Sequence, residues 1–152
     1  MNLENYRKQI LEKLRNFEWL RYDVEYVILF GSILNDKIFR IDSDVDIAIK
    51  FRNIKDIDEL FDEYVNLLTD LASYLEIPES KIDITVLNDE EISCTLILEI
   101  YGSGKLLYIH DLNNYLNDYV RLVGICNDYE ISVRKLGIIG IIMERVKKLI
   151  GE

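Results

Sequence analysis

Cysteine, histidine, proline and positive charge are all scarce in this chain, and each scarcity removes a class of function. Its two cysteines, Cys94 and Cys126, lack metal-ligand spacing. Two in a chain of 152 residues make no disulfide framework, so buried thiols in a reducing compartment are expected. The one histidine, His110, has no second His, Cys pair or Ser-x-Gly context to make it a zinc ligand or a triad member, and it is expected at the surface near a strand end. Basic residues number 18 against 28 acidic ones, and a net charge of −10 argues against a nucleic-acid surface, which is normally basic. The acidity suits solubility or a basic partner instead. Long apolar runs are missing as well: the stretch 136–143 falls far short of the roughly 20 residues of a membrane span. The first 20 residues are charged throughout and carry no apolar core of a secretion signal. One cytoplasmic domain with a real core and no membrane partner is the expectation.

What the chain does have is concentrated in two stretches. Val27-Ile-Leu-Phe-Gly-Ser32 reads as a buried strand ending in a sharp turn, because glycine permits backbone conformations and close approaches that a Cβ blocks. Such a turn offers N–H groups and the Ser32 hydroxyl to phosphate oxygens. In Ser43-Asp-Val-Asp-Ile-Ala-Ile-Lys50, Val45, Ile47 and Ile49 alternate with Asp44, Asp46 and Ala48, the period of a strand with one face buried. Asp44 and Asp46 therefore point to one side, where like charges repel and a cation is the usual remedy. Asp83 sits on a third strand-like segment, Lys81 to Leu87, and joins the pair if the strands are neighbours. Alone, a Gly-Ser pair is a turn and an Asp-x-Asp is as readily a solvated edge. Three carboxylates on one sheet face beside such a turn suit a divalent metal and a nucleoside triphosphate, since in-line phosphoryl chemistry needs charge neutralisation.

Gly31-Ser32, Asp44-Val-Asp46 and Asp83, in that order and each on a strand, resemble the minimal nucleotidyltransferase branch of the polymerase-β-like nucleotidyltransferase superfamily, over roughly residues 20 to 110. The resemblance implies an α+β fold, a small mixed sheet flanked by helices. It implies Asp44, Asp46 and Asp83 as metal-binding and catalytic residues, with Gly31, Ser32, Asp44 and Asp46 at the nucleotide. Two Mg²⁺ ions are implied, with Mn²⁺ as a substitute, and ATP as substrate. It also implies protein adenylyltransferase activity: AMP passes from ATP to a tyrosine of a HEPN-domain ribonuclease toxin, so that the chain is the antitoxin of the pair. Loss of catalysis with neutralisation by binding alone, and transfer to a small molecule, are the alternatives. Relatives carry Arg and a further Gly just after the Gly-Ser pair, whereas Ile33-Leu-Asn-Asp36 follows here, and the eleven residues between Ser32 and Asp44 are one more than the usual spacing. Lys37 or Arg40 is the candidate replacement for the missing arginine.

The remaining chain reads as helices around that sheet. Apolar residues at three- and four-residue spacing predict helices over 2–20, 54–76 and 90–101, with strands at 24–30 and 105–109. Residues 1–110 are expected to form the nucleotidyltransferase domain and 111–152 a C-terminal helical extension, interrupted near Gly124 and Asn127-Asp128. Its surplus of apolar residues predicts a homo- or hetero-oligomeric interface.

Overall fold

The computed structural model describes residues 2–149. Helix α1 (Leu3–Asn16) starts where the Asn2 side chain accepts the Asn5 N–H at 2.8 Å, and it buries Ile10 and Leu14. A short 3-10 turn at Trp19–Arg21 ends this first unit; the Trp19 indole N–H donates to the Leu14 carbonyl at 3.0 Å. Strand β1 (Val24–Phe30) is buried along its whole length, because it lies in the middle of the sheet with helices on both faces.

The chain continues through β2 (Val45–Phe51), α2 (Ile57–Leu75), β3 (Ile82–Val86), α3 (Cys94–Ser103), β4 (Lys105–Ile109) and α4 (Leu112–Leu149). The four strands lie in the order β3-β2-β1-β4. β1 pairs antiparallel with β2 and β4, whereas β2 and β3 are parallel and joined by the α2 crossover. This is the expected α+β arrangement of a mixed sheet flanked by helices. Asp56 caps α2 by accepting the Glu59 N–H at 2.8 Å, and Ser93 caps α3 from Leu96 N, so α3 begins four residues later than its apolar spacing suggested.

Alternation along the strands makes two cores. Val27, Leu29, Ile47 and Ile49 pack under α1 and α2. Tyr26, Ile28, Phe30 and Ala48 pack under α3 and the first half of α4. Each fully buried aliphatic side chain contributes about 1.5–3 kcal/mol, and the sheet interior is thereby a stiff platform.

Two expectations are corrected. The C-terminal segment does not break at Gly124 or Asn127-Asp128; α4 runs through both as one helix of 38 residues. A solvent-facing glycine costs a helix only about 1 kcal/mol relative to alanine, which the flanking turns absorb. Cys94 and Cys126 are not free thiols but a disulfide that ties α3 to α4, with Cα atoms 5.2 Å apart. His110 does lie at the surface after β4, 3.0 Å from an Arg52 guanidinium nitrogen. Among the described residues no helix is long and apolar enough to cross a membrane.

Candidate active site

The pairing of the strands decides where the aspartates go. Asp46 is opposite Phe30 in the β1–β2 ladder and in register with Asp83 in the β2–β3 ladder. Both carboxylates alternate with side chains of the first core, so both leave the sheet on the α3 side, and Asp44 precedes them on the strand approach. Asp83 is exposed and Asp46 half-buried. The Asp46 carboxyl is pushed up to about 6, by burial first and then by the like charges of Asp83, Asp44 and Glu99. Asp83, Asp44 and Glu99 of α3 thus all bear electrostatically on Asp46.

Gly31 closes the other side. Its φ is +84°, and a Cβ there would overlap the Asp46 carboxylate oxygen. Only glycine lets the turn after β1 lie this close to Asp46. Ser32, half-buried, opens a 3-10 turn, Ser32–Leu34, whose Leu34 and Asn35 N–H groups bond back to the Gly31 and Ser32 carbonyls. The Gly-Ser bend and the carboxylate face are thus one continuous surface.

The polar loop that follows is held at four points. The Arg7 Nε–H on α1 donates to the Ile33 carbonyl at 2.6 Å. The Tyr6 and Phe39 rings stack at 6.2 Å and 16°. The Ser43 hydroxyl accepts the Arg40 N–H at 2.9 Å, and the Lys81 ammonium donates to the Asp42 carbonyl at 2.8 Å. Lys37 and Arg40, the expected substitutes for the missing loop arginine, are exposed side chains of that loop. The Arg7 guanidinium on α1 also reaches the segment after the turn, and among the described residues it has no carboxylate partner. Arg7 stands next to Lys8 on α1, and nothing in its local spacing marks it out.

Among the described residues no three acidic, histidine or cysteine side chains stand close enough to form a ready-made metal cage. The donor set fits a hard divalent cation through its chemistry: carboxylate oxygens in register on adjacent strands, with Asp46 raised by burial first and then by its acidic neighbours.

On the same sheet face, the Tyr101 hydroxyl donates to Tyr26 Oη at 2.5 Å and the Tyr26 hydroxyl to Asp118 Oδ2 at 2.9 Å. Burial first, and then Tyr101 and Asp118, push the Tyr26 phenol far above its ordinary range. The neutral chain of hydroxyls anchors the start of α4 behind the site.

A mixed sheet with a glycine-serine bend abutting an Asp-x-Asp strand and a third aspartate in register defines a nucleotidyltransferase platform. The family model for polymerase beta, nucleotidyltransferase, matches residues 8–113, and the chain belongs to that family. Among solved structures, a toxin–antitoxin complex with AMP-PNP is similar at 22% identity and a TM-score of 0.53, over 90% of this chain and 98% of that one. A mutant toxin–antitoxin complex of MntA and HpeT is similar at 20% identity and a TM-score of 0.54, again over 90% and 98%. No curated protein sequence matches the chain.

Proposed function

We propose that this chain is a metal-dependent nucleotidyltransferase that moves AMP from ATP to a hydroxyl, specifically a tyrosine of a cognate HEPN ribonuclease toxin, and so acts as the antitoxin. The observation that carries the reading is the register of Asp46 with Asp83 beside a turn that admits only glycine, in a chain of the nucleotidyltransferase family. The neighbour that holds AMP-PNP is a toxin–antitoxin complex, which supports the substrate and the partner by analogy. The net charge of −10 suits a basic, RNA-cutting partner.

Asp44, Asp46 and Asp83 would hold Mg²⁺, which when bound neutralises the triphosphate and the departing pyrophosphate. The Gly31-Ser32 bend seats the phosphates against the carboxylate face. Arg7, through the Ile33 carbonyl, keeps that bend in place. The acceptor oxygen forms its bond to the α-phosphorus as the bond to pyrophosphate breaks, and Asp83, the most solvent-open of the in-register pair, accepts the hydroxyl proton. Residues 1–110 carry this chemistry, and 111–152 form the extension that supports or assembles it.

The test is incubation with labelled ATP, Mg²⁺ and the protein encoded beside it, followed by mass spectrometry for AMP on tyrosine. Transfer lost in Asp44→Asn and Asp46→Asn, with the fold intact, supports the proposal; transfer retained in either refutes the site. The absence of an arginine directly after Gly31-Ser32 favours one second reading, neutralisation by binding alone. In that case toxin silencing survives Asp44→Asn and needs no ATP.

A further inference from the structure

The distal part of α4 lies outside the site and has no cover among the described residues. From Asn127 to Leu149 every side chain described is exposed, and the helix continues about 34 Å beyond Cys126. An isolated helix of that length, interrupted here by Gly137 and Gly140, is marginal in water, because most helical stability in proteins comes from packing an apolar face. Such a face exists. At 100° per residue Ile131, Ile138, Ile142 and Leu149 fall on one line, with Ile139 and Val146 beside it. Lys135 and Arg145 flank that line at about 40° on either side, and Lys147 and Lys148 point away from it.

Charge identifies the cover. Residues 131–152 contain five of the 18 basic residues and two of the 28 acidic ones, a balance of +3, which leaves 13 basic and 26 acidic residues, −13, in residues 1–130. Two such basic helices repel one another, and an anionic membrane or a nucleic acid repels the rest of the chain. What fits is an acidic protein surface with exposed apolar side chains, and the chain itself carries one. Between Asp56 and Glu76 there are seven acidic residues and no basic one. On α2 the side chains of Ile57, Phe61 and Val65 recur every four residues and are 79%, 64% and 38% exposed. Asp58 and Asp62 run alongside them and have no cationic partner among the described residues.

We propose that the distal half of α4 docks on the α2 stripe of a second copy of this chain, reciprocally, about a two-fold axis. α2 covers the first core and α4 starts on the second, on the opposite face of the sheet, and the described side chains from Asn127 to Leu149 are all exposed, so the contact is made in trans. Reciprocity makes the contact twice, which brings it toward the roughly 1,600 Å² of a standard interface.

The experiment is sedimentation equilibrium of the chain alone, with two double variants at exposed positions: Phe61→Ser with Val65→Ser, and Ile138→Ser with Ile142→Ser. The expected result is a mass twice 17.9 kDa for the unaltered chain and self-association at least about tenfold weaker in each variant. A mixture of the two variants recovers association, because one of the two α4–α2 contacts survives in the mixed dimer. Raising salt should weaken all of these. A monomer at about 100 µM, a dimer indifferent to the Phe61 and Val65 changes, or a monomer that sediments with phosphatidylserine vesicles each overturns the proposal.

Discussion

Replacing Asp46 by Asn should make the protein more stable while removing its activity. Burial, and then Asp83, Asp44 and Glu99, move the Asp46 carboxyl from an ordinary 3.8 to about 6. The difference between 3.8 and about 6 corresponds to about 3 kcal/mol between the protonated and ionised forms. The side chain is only part-buried, so solvent screening lowers the stability equivalent to about 1 kcal/mol. The direction follows from proton binding: the folded chain holds the Asp46 proton more tightly than the unfolded one. Stability due to this group is therefore greatest below about pH 4, falls as pH rises toward about 6, and is flat above. Asparagine mimics the neutral acid, so urea unfolding, followed by the fluorescence of the buried Trp19, should show Asp46→Asn about 1 kcal/mol more stable at pH 7.5. The gain should shrink toward zero at pH 4. Added MgCl₂ should stabilise the unaltered chain more than the variant. A variant no more stable at pH 7.5, or equally favoured at pH 4, would falsify the claim that Asp46 is a crowded carboxylate.

Three further outcomes follow from single contacts. Gly31→Ala places a Cβ against the Asp46 carboxylate in a backbone with φ +84°, and should cost about 2 kcal/mol of stability together with most of the transfer activity; an unchanged urea midpoint counts against the tight approach. Arg7→Ala frees the Ile33 carbonyl and should raise the KM for ATP several-fold with kcat little changed, and Arg7→Lys should recover part of it. Equal KM values in all three proteins would remove Arg7 from the site. Reduction of Cys94–Cys126, or Cys94→Ser, releases a loop of 32 residues' separation and should lower stability by about 3–4 kcal/mol in the chain-entropy estimate. Calorimetry with and without dithiothreitol measures it, and identical transitions would show that the bridge does not constrain the unfolded chain.

Local pattern made the platform readable. Alternation in Val45–Phe51 and Ile82–Val86 places Asp46 and Asp83 opposite the apolar face whatever the strand order, because the period of two is a property of each strand alone. That the two strands are neighbours and parallel is a matter of pairing, and the helix between them, Ile57–Leu75, is the crossover that parallel neighbours need. The glycine of the turn was legible for a similar reason: its conformation is set within two residues.

Pairing across the chain left no such trace. Arg7 lies 26 residues from the carbonyl it holds, and on its helix it is one more polar residue among Glu4, Lys8 and Glu12. Cys94 and Cys126 sit on separate helices, 32 residues apart, and only the packing of α3 on α4 brings them together. The second half of α4 shows the opposite error. Its glycines and Asn127-Asp128 have real breaking tendencies, but those tendencies weigh about 1 kcal/mol each against the propagation of a helix already nucleated on the Tyr26, Tyr115 and Tyr119 cluster. A breaker decides the chain's path only where no packed neighbour holds the preceding turn. Here the hydroxyl chain from Tyr101 through Tyr26 to Asp118 holds it, so the helix continues through the breakers to Leu149 with the described side chains of its second half exposed.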